Sequence, residues 1–248
     1  MSNATSFGRQ STTYAKGRPG YPTELYDWII ANSPDTQRIW DVGCGSGQAS
    51  RSLTNYFSHV YATDISAEQI EAATPHPNID YAVSQAHESG LPENWADTIT
   101  VATAVHWFAE PVFWDEVQRV GKCGCLFSAW TYQLPLAPAD VMNAYLTPIY
   151  ELIDPFWAEG NRICMTGYNT ENLKCPLLVL ETPELTAKYN WTAIQIADFA
   201  QSWSAHFRAR ESGHAEQLKA LRDNFLERYT NQEIMISLPM SIFAARIG

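Results

Sequence analysis

The sequence has few basic residues and few cysteines, and each shortage excludes a class of protein. Sixteen lysines and arginines against 27 aspartates and glutamates give a formal net charge of −11. We therefore expect no broad surface for nucleic acid or for anionic lipid. The five cysteines form no C-x-x-C pair, so the pattern indicates neither a disulfide framework nor a zinc site, and no metal is expected.

Long apolar runs are also missing. No run reaches the roughly 18 residues that a membrane-spanning helix needs, and the first residues lack the basic and apolar regions of a secretion signal. We therefore expect a cytoplasmic protein with no membrane partner. Because 46% of the 248 residues are hydrophobic, the chain can bury one large α/β core, as a monomer or a homodimer.

Helices and strands alternate in the first half of the chain, which is typical of a parallel sheet covered on both faces. The predicted strands are 38–40, 59–64, 79–84, 97–104 and 126–132, and the predicted helices are 22–33, 48–57, 66–73 and 111–120. We predict a single domain, 1–248, whose residues 7–34 form an N-terminal lid and helix.

The pattern changes after residue 132, where prolines punctuate a region rich in large apolar residues. It predicts a cap-like helical insertion, 133–176, between strands five and six. A strand with an irregular middle at Pro183 (177–191), two helices (194–207 and 214–229) and a final alternating strand region (233–247) complete the prediction.

A glycine-rich turn is the most informative motif. The first strand runs into Asp-Val-Gly-Cys-Gly-Ser-Gly (41–47), a helix follows, and the second strand ends at Asp64. Glycines let the backbone approach a ligand closely, and an acid at the second strand tip can accept both hydroxyls of a ribose. A strand-to-helix turn with no ligand would not need this second acid.

The acid before the turn, Asp41, decides between two nucleoside ligands. A dinucleotide would set its pyrophosphate on the loop, where a carboxylate repels it, and the G-x-G-x-G spacing departs from the dinucleotide G-x-G-x-x-G. S-adenosylmethionine carries an ammonium and a sulfonium instead. The turn therefore favours a methyl-donor site over a nicotinamide-dependent oxidoreductase.

The chain resembles the class I S-adenosylmethionine-dependent methyltransferases, and within them the small-molecule (type 11) group that includes trans-aconitate methyltransferase. The segments that carry the resemblance are Tyr14 to Pro22 (Y…R-P-x-Y-P), 41–47, Ala-Thr-Asp-Ile-Ser (62–66), His106-Trp107-Phe108 and Arg-Val-Gly-Lys-Cys-Gly (119–124), in which Gly121 and Cys123 depart from the family pattern. The resemblance implies a three-layer, Rossmann-like, seven-stranded, mostly parallel sheet with an antiparallel last strand.

The glycine turn and the resemblance together assign the site residues. Those expected to bind the cofactor are Tyr14, Arg18, Asp41, Gly43, Gly45, Gly47, Asp64, Ile65, Gln85, Ala86 and Ala104. Asp41 is expected to hold the ammonium, directly or through water, with capping of the following helix as its alternative. Arg18 is expected to pair with a carboxylate of the cofactor or substrate, or else to lie in a solvated arm.

The predicted acceptor site contains His106, with Trp107, Trp130 and Tyr132 as walls. His106 either acts as a general base or only positions the acceptor, and its structural alternative is packing beside Trp107. The resemblance favours O-methylation of a small carboxylic acid, which needs no base at neutral pH. A non-catalytic S-adenosylmethionine-binding protein of the same fold is the alternative function.

Overall fold

The computed structural model describes residues 19–230 and 232–248, which fold into a central sheet between helical layers. The strands are β1 (Arg38–Val42), β2 (His59–Asp64), β3 (Ile79–Val83), β4 (Ala96–Ala102), β5 (Gly121–Tyr132), β6 (Leu178–Val179), β7 (Thr186–Thr192) and β8 (Glu233–Arg246). The helices are α1 (Thr23–Asn32), α2 (Gln48–Leu53), α3 (Ala67–Glu71), α4 (Pro111–Val120), α5 (Thr147–Ile153), α6 (Glu159–Thr166), α7 (Thr170–Leu173), α8 (Ala193–Gln201), α9 (Ser204–Ala209) and α10 (Ala215–Arg228).

The strand order is β3-β2-β1-β4-β5-β8-β6, with β7 also paired to β8. The first five strands are parallel, and β8 runs antiparallel between β5 and β6. The predicted α/β class and the seven-stranded, mostly parallel sheet with an antiparallel last strand are therefore confirmed. The order in which strands are added to the sheet reverses between β1 and β4. At such a reversal, α/β sheets have a crevice at the carboxyl ends of the strands.

The middle strands are buried because helices cover both faces. Every residue of β4 except its last is buried, as expected for a parallel strand inside such a sheet. Helix α4 begins with Pro111 at its first position and turns Phe113, Trp114 and Val117 onto one face of the sheet. Helix α1 buries Leu25 and Ile29 on the opposite face.

Two segments build the helical layer above the carboxyl ends. The stretch after β5 passes through Ala139–Val141 and a wider π-type turn at Met142–Leu146 into α5, and the second segment contains α8 to α10. Aromatic rings join the two segments: Tyr145 stacks on Phe225 with centroids 4.3 Å apart, and Tyr150 stacks on Trp203 at 5.3 Å. The helices after β7 thus share one core with the predicted insertion.

Two predicted elements differ from the structure in more than their bounds. The strand expected over 177–191 is two strands, because β6 pairs with the C-terminal half of β8 and β7 pairs with its N-terminal half. The helix expected over 194–207 is divided, since Trp203 has extended dihedral angles between α8 and α9. No helix in the described parts of the chain is both long and apolar enough to cross a bilayer.

Candidate active site

A cavity of about 370 Å³ opens at the carboxyl ends of β1, β2 and β4. Its walls are formed by Pro19, Tyr21, Val42, Gly43, Cys44, Gly45, Ser46, Gln48, Ala49, Asp64, Ile65, Ser66, Gln69, Ser84, Gln85, Ala86, His87, Ala102, Thr103, Ala104, Trp107, Phe108 and Tyr132. This volume lies within the range of small-molecule sites, and the position is the one where the winding of the sheet reverses.

The glycine turn forms one wall of this space, which we call the cofactor cavity after its predicted ligand; Gly43 and Gly45 line it, whereas Gly47 does not. Gly43, Gly45 and Gly47 have φ angles of 66°, 54° and 79°, a region that favours glycine. A Cβ at Gly43 would lie 2.8 Å from the Cβ of Ala104, and one at Gly47 would collide with the ring of Tyr81. At Gly45 the nearest atom would be Oε1 of Gln69 at 3.8 Å, so this backbone borders open space.

Asp64 ties the second strand to the glycine turn. One carboxylate oxygen accepts the backbone N–H of Gly45 at 2.8 Å, and the other accepts the N–H of Ser66 at 2.9 Å. Burial raises the pKa of this carboxyl, while the amide bonds oppose the rise. Ser66 caps α3 with its own hydroxyl, as predicted, so the carboxylate of Asp64 is held at the cavity wall by the loop.

Asp41 does not line the cofactor cavity. It is fully buried, and its carboxylate accepts the hydroxyls of Ser50 at 2.5 Å and Thr100 at 3.1 Å. Burial raises its pKa to about 6. Both oxygens are therefore turned toward α2 and β4 rather than into the cavity, and the ammonium contact of Asp41, directly or through water, stays a prediction.

The remaining predicted cofactor residues divide into two groups. Ile65, Gln85, Ala86 and Ala104 all border the cofactor cavity, and the side chain of Ile65 is exposed at its mouth. Tyr14 and Arg18 lie outside the described residues, as does most of the predicted lid.

A second cavity of about 80 Å³ adjoins the first beneath the helical layer. Its walls are Thr103, His106, Trp107, Thr131, Tyr132, Gln133, Leu134, Pro135, Trp157, Asn161, Cys164, Met165, Phe199, Ser202, Trp203 and Ser204. Thr103, Trp107 and Tyr132 border both cavities. We call the second space the acceptor cavity after its predicted role. Five of its 16 described wall residues are Trp, Tyr or Phe, and none is Asp, Glu, Lys or Arg.

His106 borders the acceptor cavity from the single 3₁₀ turn that follows β4. Its Nδ1 lies 2.8 Å from the hydroxyl of Tyr168 and 3.1 Å from the sulfur of Cys164. Gly160 lets α6 approach this turn closely, since a Cβ there would be 3.1 Å from the carbonyl oxygen of His106. His106 also packs on Trp107, with ring centroids 4.7 Å apart.

The three aromatic residues predicted as acceptor walls have different positions. Trp107 and Tyr132 border both cavities. Trp130 borders neither: it is fully buried, and its ring makes a T-shaped contact with the ring of Tyr21, with centroids 5.5 Å apart. The structure therefore places Trp130 away from the acceptor cavity, because it lies two residues farther into the sheet than Tyr132, where Tyr21 covers it.

Residues 19–21 cross the cavity mouth and are held by several polar contacts. The ring of Tyr21 stacks on Tyr132 at 5.1 Å, and its hydroxyl lies 3.2 Å from Oγ1 of Thr103. The carbonyl of Gly20 accepts hydrogen bonds from the hydroxyls of Tyr189, at 2.8 Å, and Tyr132. This segment therefore connects the N-terminal part of the chain to β5 and β7 at the junction of the cavities.

Sequence reasoning missed several residues at this junction. Thr103 has a φ of 55°, a strained conformation for a β-branched residue, and such strain concentrates at functional sites. Cys164 and Tyr168 come from α6 and the loop after it, about 60 residues beyond His106. The sequence carries no periodic signal for either feature.

Comparisons with known proteins agree with this geometry. A family model described as a methyltransferase domain matches residues 40–129. The structure of a protein assigned as a type II methyltransferase from Anaeromyxobacter dehalogenans has 32% sequence identity and a TM-score of 0.84, and the match covers 93% of this chain and 98% of that one. This chain belongs to the class I S-adenosylmethionine-dependent methyltransferases.

Two curated relatives extend the similarity along the chain. A Dictyostelium discoideum protein assigned as a methyltransferase is 29% identical over 227 residues, which span 90% of this chain and 86% of the relative. A Saccharomyces cerevisiae protein assigned as an S-adenosylmethionine-dependent methyltransferase is 26% identical over 232 residues, 79% of each chain. The chain is thus an enzyme of this family, with S-adenosylmethionine as its cofactor; the trans-aconitate subgroup stays a prediction.

The cofactor cavity suits this methyl donor. Asp64 is the one acidic residue among its described walls, and those walls contain no lysine or arginine. Such a set fits a ligand with an ammonium and a sulfonium and offers no lysine or arginine side chain to a pyrophosphate. The open backbone at Gly45 beside the carboxylate of Asp64 offers the close approach that a nucleoside needs.

Proposed function

We propose that this methyltransferase transfers the methyl group of S-adenosylmethionine to an oxygen of a small carboxylic acid bound in the acceptor cavity. The observation that carries the proposal is the shared wall, because Thr103, Trp107 and Tyr132 border both cavities. A molecule in the smaller space would lie next to one in the larger, which is the proximity that an in-line displacement requires.

The cofactor supplies the electrophilic methyl group when bound, and the chain positions the two reactants and excludes water from them. In the proposal, Asp64 accepts the ribose hydroxyls while the turn at Gly43 and Gly45 borders the methionine part. Ile65, Gln85 and Ala86 border the adenine, and Ala104 offers a backbone carbonyl to the ammonium. The aromatic walls of the acceptor cavity keep water from the reacting oxygen.

A carboxylic acid is the favoured acceptor because it is ionised at neutral pH and needs no proton removed. The described walls of the acceptor cavity contain no acid that would repel it. They also contain no lysine or arginine, so neutral donors such as Asn161 and His106 would hold its oxygens there. Arg18, predicted to pair with a carboxylate, lies outside the described residues.

A screen with methyl-labelled S-adenosylmethionine tests this proposal. Small carboxylic acids are compared with alcohols and amines of matched carbon skeleton, and label transfer to each is measured. Methylation of acids alone supports the proposal. Transfer only to alcohols or amines contradicts the carboxylate, and donor binding without transfer to any compound favours the non-catalytic alternative.

A further inference from the structure

The contacts of His106 bear on how the acceptor is held. The hydroxyl of Tyr168 lies 2.8 Å from the imidazole Nδ1, and the thiol of Cys164 lies beside the same edge of the ring, 3.1 Å from Nδ1 and 3.5 Å from Nε2. Tyr168 is buried beside β8, where its backbone N–H donates to the hydroxyl of Ser241 at 2.7 Å. The ring of His106 thus meets a hydroxyl whose position is fixed by the backbone.

The protonation state of Tyr168 allows its hydroxyl to donate a hydrogen bond to Nδ1 of His106. Burial raises the pKa of Tyr168 well above its ordinary value, so the side chain keeps its proton at neutral pH. The Tyr168 hydroxyl contacts Nδ1 and can donate to it when that nitrogen is the unprotonated one. A neutral imidazole that accepts at Nδ1 carries its proton on Nε2.

We infer that Tyr168 is a positioning residue that holds His106 in the Nε2–H form, so that His106 donates a hydrogen bond to the carboxylate of the acceptor and removes no proton from it. This inference rests on the proposed function for the identity of the acceptor. It makes the Tyr168 hydroxyl part of the acceptor site although that hydroxyl acts through the imidazole.

The surroundings of His106 differ from those of a histidine base. A general base of this kind has an unprotonated Nε2 and usually donates its Nδ1–H to a carboxylate or carbonyl oxygen. The described walls of the acceptor cavity contain no aspartate or glutamate, and the groups facing the ring from α6 and the following loop are Cys164 and Tyr168. An N–H group at Nε2 suits an ionised carboxylate, because a carboxylate can only accept hydrogen bonds.

Nitrogen NMR of the uniformly labelled protein tests the tautomer without any acceptor. Long-range proton–nitrogen correlation spectra distinguish an unprotonated Nδ1 from an unprotonated Nε2, and His106→Gln identifies the signals of this residue among the six histidines. We expect an unprotonated Nδ1 in the wild type. We also expect Tyr168→Phe to weaken that preference, whereas Tyr150→Phe, which removes a hydroxyl bonded to the carbonyl of Pro135, should leave it unchanged.

A protonated Nδ1 in the wild type would overturn the inference, as would a tautomer preference that survives Tyr168→Phe intact. Because this readout uses no substrate, it stands apart from the acceptor screen. Transfer to alcohols or amines alone would contradict the proposed function, and the spectra would still decide the tautomer.

Kinetics with a carboxylic acid found in the screen provide the second test. Gln keeps a side-chain donor but cannot act as a base, so we expect His106→Gln to retain kcat within roughly tenfold. Tyr168→Phe should raise KM for the acid by about tenfold with a smaller change in kcat, since a hydrogen bond to a charged group is weakened. A fall of 10²–10⁴-fold in kcat for His106→Gln, together with loss of a pH limb, is the result of a general base and would overturn the inference.

Discussion

The carboxylate of Asp64 has two functions at once in this structure. It accepts the amide of Gly45 and so shapes the turn, and it borders the cofactor cavity. We predict that Asp64→Ala weakens binding of S-adenosylmethionine by about 1–3 kcal/mol, because ribose hydroxyls and the Gly45 amide both lose an acceptor. Calorimetric titration of the folded variant measures this.

The matched control is Asp80→Ala. Asp80 is an exposed acid on β3 that bonds to His59 at 2.9 Å, away from the cavity, so its removal should leave donor affinity unchanged. Equal affinities for wild type and Asp64→Ala would remove Asp64 from the cofactor site.

Asp41 makes the stability of the protein depend on pH. Burial raises its pKa in the folded state to about 6, from the ordinary value of 3.8, so the folded state holds more of this proton than the unfolded state between those two pH values. The associated stabilisation is present below pH 3.8 and is lost as pH rises through about 6. Relative to Asp41→Asn, the wild type should lose up to about 3 kcal/mol of unfolding free energy between pH 4 and 7.

Urea denaturation of both proteins at several pH values checks this difference. The Asn variant keeps polar atoms beside Ser50 and Thr100 but does not titrate, so the other acids cancel in the comparison. Parallel stability curves for the two proteins would show that Asp41 is not a raised-pKa acid.

At the scale of elements, the fit of α6 against the turn after β4 depends on one glycine. A Cβ at Gly160 would lie 3.1 Å from the carbonyl oxygen of His106 and from the ring of Trp107. We predict that Gly160→Ala displaces α6, raising KM for the acceptor several-fold while the affinity for S-adenosylmethionine changes little. Glu159→Ala, at the exposed neighbouring position, is the control. A change confined to donor affinity would contradict this role of α6.

The sequence predicted the structure around the cofactor cavity better than the structure around the acceptor cavity. The turn at 41–47, the acid at Asp64 and the cap at Ser66 depend on residues that lie close together in the sequence, so the sequence pattern predicts them. Thr103 could not be foreseen, because its φ of 55° opposes the preference of a β-branched residue.

Strand pairing and the burial of side chains by distant segments explain the other differences between the prediction and the structure. The apolar pattern of 177–191 marks strands but does not state which part of β8 each one meets. Likewise, alternation along β5 places Trp130 and Tyr132 on one face, and only the three-dimensional position of Tyr21 decides which of them reaches a cavity. Contacts between distant segments, such as His106 with Tyr168, leave no trace in spacing.

At the scale of the whole molecule, charge and cofactor choice act together. The net charge of −11, the single acid in the described walls of the cofactor cavity and the absence there of lysine and arginine all disfavour the dianionic pyrophosphate of a dinucleotide. We predict that S-adenosylmethionine at 100 times its Kd stabilises the folded protein by about 2.7 kcal/mol, because it binds only the folded state. For a chain of this length that corresponds to a rise in Tm of roughly 5–10 °C.

Thermal denaturation with and without ligand measures this rise in Tm, and two controls test whether the rise is specific to S-adenosylmethionine at this site. NAD at the same concentration should leave Tm unchanged, since its pyrophosphate finds no cation in the described cavity walls. Asp64→Ala should show a smaller rise than the wild type at equal ligand concentration, because occupancy falls as Kd increases. A rise with NAD that matches the rise with S-adenosylmethionine would contradict the charge argument, since the cavity would then accept a pyrophosphate despite its acid and its lack of a basic partner.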